Sequence, residues 1–71
     1  MKTMEYQIVD KLSASQLEVD DLISIDNEIV KVISIADGLD DSFILETEDD
    51  FNETNLIIVD YDDKFDLYML M

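Results

Sequence analysis

The sequence predicts a mainly β fold: a small barrel of five or six short antiparallel strands, with one short helical turn near residues 13–17. Three observations predict it. Short apolar segments rich in Ile and Val recur at roughly ten-residue spacing. The stretches between them are made of Asp, Asn, Ser and a single Gly, residues that accept turn conformations. The chain has 71 residues, 48% of them apolar, which supports one small core and a single domain over residues 1–71.

The elements follow in order. Tyr6 to Leu12 reads as a first strand, with Tyr6, Ile8 and Asp10 alternating against Gln7 and Val9. Ser13-Ala14-Ser15-Gln16 is a polar turn, and Ser13 or Ser15 can cap a short helix there. Val19-Asp20-Asp21 reads as a turn into a second strand, Leu22 to Ile25. Asp26-Asn27-Glu28 reverses the chain tightly. Ile29 to Ile35 is rich in β-branched residues on both faces, as a central strand requires. A turn over Asp37-Gly38-Leu39-Asp40-Asp41 leads to Ser42 to Glu48, with Phe43, Leu45 and Thr47 on one face. After the loop Asp49-Asp50-Phe51-Asn52-Glu53 come Leu56 to Val59, a turn over residues 60–64, and a last strand from Phe65 to Leu70.

Charge narrows the function. Nineteen acids oppose four lysines, for a formal net charge of −15, and there is no Arg. Such a surface repels phosphates and anionic lipid, so neither nucleic acid nor a membrane face is expected as a direct partner. It attracts basic protein surfaces, which nucleic-acid-binding proteins carry. Cys and His are absent, so thiolate and imidazole metal sites, disulfides and the usual near-neutral general base are excluded. No cofactor is expected. No apolar run reaches the ~18 residues of a membrane span, and the first residues lack a secretory layout. A cytoplasmic protein is the simplest expectation.

The stretch from Leu17 to Val32, LEVDDLISIDNEIVKV, resembles the opening hairpin of SH3-like barrels. It is similar to the N-terminal, KOW-like domain of elongation factor P, whose pattern is L-x-V-G-D-x-I-x-I-D-G-x-x-x-x-V. Asp20 stands where that pattern has its first Gly, and Asn27 where it has its second. The resemblance implies an SH3-like barrel. The family's translation role needs a basic tip and a basic RNA-facing surface. Here the tip is Asp26-Asn27-Glu28, so that role is not carried over.

Candidate binding residues lie in three acidic clusters: Asp37, Asp40 and Asp41; Glu46, Glu48, Asp49, Asp50 and Glu53; and Asp60, Asp62, Asp63 and Asp66. Between Lys31 and Lys64 there is no positive charge. On one end of a barrel the clusters would merge into one negative face. Phe51 and Tyr61, set among these acids, are candidate aromatic anchors of an interface. Asp60 to Asp66 begins like a calcium loop but has Lys64 at its fifth position and Phe65 where Gly is needed, so that motif fails. No nucleophile–base pair or phosphate-cradling loop is present, and the chain is not expected to be an enzyme.

The expected function is therefore a non-enzymatic protein–protein interaction module. Its sharper form is a DNA mimic or inhibitor that competes with nucleic acid for a basic partner; small phage inhibitors of host nucleic-acid enzymes resemble this chain in size and charge. The alternative is a small structural or assembly protein whose acidity is only solubilising. The apolar segment Leu67 to Met71 either closes the barrel or forms an edge for a homo-oligomer.

Overall fold

A computed structural model describes residues 5–70. Six antiparallel strands form one sheet: β1 (Tyr6–Ser13), β2 (Leu22–Ile25), β3 (Glu28–Asp37), β4 (Ser42–Glu48), β5 (Thr54–Asp60) and β6 (Lys64–Leu70). A single 3-10 turn, Ala14–Gln16, follows β1. The spatial order is β1-β6-β2-β3-β4-β5. Strands β2 to β5 form a meander of neighbours, and β6 returns across the start to pair with both β2 and β1. Among the described residues, no helix is long and apolar enough to cross a membrane.

The core is small and central. Ile23, Val32 and Leu45, from adjoining strands β2, β3 and β4, are wholly buried. Among the described residues, Ala14, Leu17, Val30 and Val59 complete the buried apolar set, and Phe43, Ile57 and Phe65 pack against it. In β4 the alternation is clean: Leu45 and Thr47 are buried, and Phe43 shares their inward face. Ala14 enters the core because the 3-10 turn is tied down from both sides. The Ser13 N–H donates to Gln16 Oε1 at 3.0 Å, and the Ala14 N–H donates to the Asp63 carbonyl at 2.8 Å.

Turns that lack Gly are made by Asp and Asn in left-handed backbone. Asp26 and Asn27 both have positive φ, 51° and 68°, the geometry of a type I′ hairpin turn. Asp20, with φ 80°, is left-handed as well. In the β3–β4 turn the left-handed residues are Asp40 and Asp41, not Gly38. Gly38 is needed for close approach: a β-carbon there would collide with Ser42 Oγ, which donates to the Leu39 carbonyl.

Two β-bulges shape the sheet. One, at Val9, breaks the β1–β6 register between Ile8 and Asp10; as a result Ile8 and Val9 are both exposed and the expected alternation of β1 fails. The other lies at Ile33 in the β3–β4 pair. Of the C-terminal segment Leu67 to Met71, the residues up to Leu70 lie in β6, an interior strand, and Met71 lies outside the described residues. β6 has β1 on one side and β2 on the other, so the sheet edges are β1 and β5.

Candidate interaction surface

The acidic clusters do not form one face. Strand β4 separates them: at about 3.4 Å per residue, Ser42 and Glu48 stand about 20 Å apart. The first and third clusters meet at one end. There the Tyr61 N–H donates to the Asp41 carbonyl at 3.0 Å, and the Phe43 and Tyr61 rings lie 6.4 Å apart. Most of the second cluster lies at the other end, where Tyr6, Asn27, Glu28, Asp49, Asp50 and Phe51 line one shallow cleft. Glu46 is mid-strand, its Oε1 accepting from Ser34 Oγ at 3.3 Å. Asp66 sits in β6 opposite Lys11, away from the other acids of its cluster. Most acids of these clusters, though not Glu46 and Asp66, thus lie at two separate ends of β4.

Several of these carboxylates hold the fold's own turns. Asp49 Oδ1 accepts from the N–H groups of Phe51, at 2.8 Å, and Glu53, at 3.0 Å. That fixes the loop and leaves Phe51 83% exposed. Asp63 Oδ2 accepts from the Asp60 N–H at 2.9 Å, which makes the β5–β6 corner. Carboxylate oxygens of Asp60, Asp62 and Asp63 lie within 4.8 Å of one another, all on exposed residues. This convergence is a product of that corner, since Asp63 already spends one oxygen on it. Among the described residues the only ion pair is Lys31–Asp20, at 4.0 Å, so the remaining carboxylate charge is largely uncompensated.

Between the two acidic ends lies a feature that acid counting missed. On the outer face of β3, β4 and β5, Ala36, Ile44 and Ile58 stand in one cross-strand row, with Leu56 beyond Ile58. Ile58 is 76% exposed, Leu56 70%, and Leu39 at the neighbouring turn 85%. Leu39, Ile44 and Ile58 line an open groove of about 620 Å³ whose rim carries Asp37, Asp40 and Asp60. In the sequence, Leu56-Ile57-Ile58-Val59 reads as a continuous apolar run, typical of a strand buried on both faces. The signal that separates it is topological: β5 is an edge strand with only its Ile57 and Val59 face inward.

No protein family, characterised protein or solved structure matches this chain.

Proposed function

We propose that this chain is a non-enzymatic interaction module that docks on a basic protein surface, and that in doing so it competes with nucleic acid for that surface. The observation that carries the reading is the pair of exposed aliphatic residues Leu56 and Ile58, with half-buried Ile44 beside Ile58, flanked by carboxylates at both ends of β4 and β5. Interfaces combine an apolar centre with a polar rim, and the centre supplies most of the affinity. The rim here has one sign of charge, which favours fast, salt-sensitive capture of a cationic partner. A purely solubilising acidic coat gives no reason to leave large aliphatic side chains uncovered between the acids. Carboxylates at two ends about 20 Å apart, the reach of a seven-residue strand, also span a groove that a partner keeps for a phosphate backbone.

The test is affinity capture with the whole chain as bait, at low and high salt, followed by addition of duplex DNA. The expected result is retention of a nucleic-acid-binding protein, released by salt and displaced by DNA. A retained protein that DNA leaves in place overturns the competition.

A further inference from the structure

The ladder of β5 identifies which of its backbone groups are unused. Asp49 and Glu53 exchange a backbone hydrogen bond at one end of the β4–β5 pair, and Asp41 and Tyr61 at the other. The register between them is unbroken over all seven pairs. Hydrogen-bonded pairs alternate along an antiparallel ladder, so Asn55, Ile57 and Val59 bond to β4. The Gly38 N–H bond to the Ser42 carbonyl gives the complementary result for β4, whose even-numbered residues bond to β3. The N–H and C=O groups of Thr54, Leu56 and Ile58 therefore point away from the sheet, with no partner among the described residues. Asp60 ends this run, because the Asp63 carboxylate and N–H take both of its backbone groups.

The other sheet edge is different. β1 is broken by the bulge at Val9 and carries Asp10 and Lys11 beside it, devices that blunt an edge against pairing. β5 has no bulge, and neither charge nor Pro between Thr54 and Val59. Its open backbone belongs to Leu56 and Ile58, the residues whose side chains form the uncovered apolar row.

We propose that the β5 edge is a strand-addition site for an extended segment of a cationic partner, with aliphatic residues at alternate positions and Lys or Arg at its ends. The proposal rests on the reading of the chain as a module for basic partners and specifies how the partner is held. Main-chain bonds to Thr54, Leu56 and Ile58 supply the pairing. Aliphatic side chains on the outer face pack beside Leu56 and Ile58 and into the adjoining groove. Glu53 and Asp60 bracket the strand and meet the cationic ends. Charge complementarity selects this occupant over a second copy of the chain, because two copies would bring formal charges of −15 together, with the same acids on each.

The test uses the full chain, labelled with nitrogen-15, and the synthetic peptide Lys-Lys-Val-Thr-Val-Thr-Val-Lys-Lys. The expected result is amide exchange slowed about tenfold or more at Thr54, Leu56 and Ile58, with no comparable gain at Asn55, Ile57 and Val59. The peptide with Ser for every Lys binds about tenfold or more weaker. Ile58→Pro removes one outward N–H without touching the β4 ladder and abolishes binding. Ile58→Lys, at an exposed position, weakens binding of the cationic peptide with the fold intact. Peptide-induced shifts confined to the acidic loops, with no exchange protection along β5, overturn strand addition and leave the basic-partner reading standing. Failure of the cationic peptide to bind at all overturns the proposal. So does β5 protection that grows with protein concentration in the absence of peptide, which assigns the edge to a second copy.

Discussion

Leu45 and Ile58 lie on adjacent strands one residue out of register, Leu45 opposite Ile57 and Ile58 opposite Ile44, and both are branched aliphatic residues in runs that look alike in sequence. Truncating each to Ala separates the two faces of the sheet. Leu45 is wholly buried, between Ile35 on β3 and Ile57 on β5. Leu45→Ala removes three buried carbons, worth about 2.4 kcal/mol of transfer free energy at ~0.8 kcal/mol per methylene. The cavity left beneath the sheet raises the cost to roughly 3–4 kcal/mol. A chain this size has a total stability of about 4–11 kcal/mol, so the variant stands near the edge of folding. Ile58→Ala, at a residue 76% exposed, changes stability by less than about 0.5 kcal/mol. Urea unfolding followed by far-ultraviolet circular dichroism measures both, with the midpoint moving and the slope unchanged. Comparable losses for the two variants, or a loss below about 1 kcal/mol at Leu45, would refute the assignment of faces.

Asp20→Gly and Asn27→Gly relieve left-handed backbone, and each raises stability by up to about 1 kcal/mol in the same unfolding assay, with Asp20→Gly losing only an exposed ion pair. Gly38→Ala displaces Ser42 Oγ from the Leu39 carbonyl and costs about 1 kcal/mol, part of which is absent when Ser42→Ala is already in place; equal costs in both backgrounds contradict the clash. Raising sodium chloride from ~10 mM to ~0.5 M shortens the Debye length from about 30 Å to about 4 Å and increases the melting temperature, because self-repulsion among nineteen acids is screened; a flat salt dependence contradicts uncompensated repulsion.

Most of the strand pattern was legible in the sequence, because β-branched runs and Asp/Asn turns alternate at short intervals. Strand β4 matches its expected bounds, and the 3-10 turn falls within residues 13–17. β3 and β5 extend beyond their apolar cores at both ends, since ladder bonding continues through polar residues such as Glu28, Asp37, Thr54 and Asn55. The bulge at Val9 was not legible: bulges depend on the partner strand's register, which a local pattern does not contain. The acidic clusters were legible as residues but not as an arrangement. Their division between two ends follows from the direction of β4, and the structural duties of Asp49 and Asp63 follow from turn geometry. The exposure of Leu56 and Ile58 was not legible, because an edge strand and a central strand share the same apolar run; only the sheet order distinguishes them.

The central claim is that this surface takes a basic partner in competition with nucleic acid. Fluorescence anisotropy of a labelled DNA duplex, bound to the basic protein that the chain captures and titrated with the chain, tests it most directly. The account predicts that anisotropy falls to that of the unbound duplex, with an inhibition constant that weakens steeply as salt rises and weakens further for Ile58→Lys. An anisotropy that stays constant or climbs, as in a ternary complex, would contradict it.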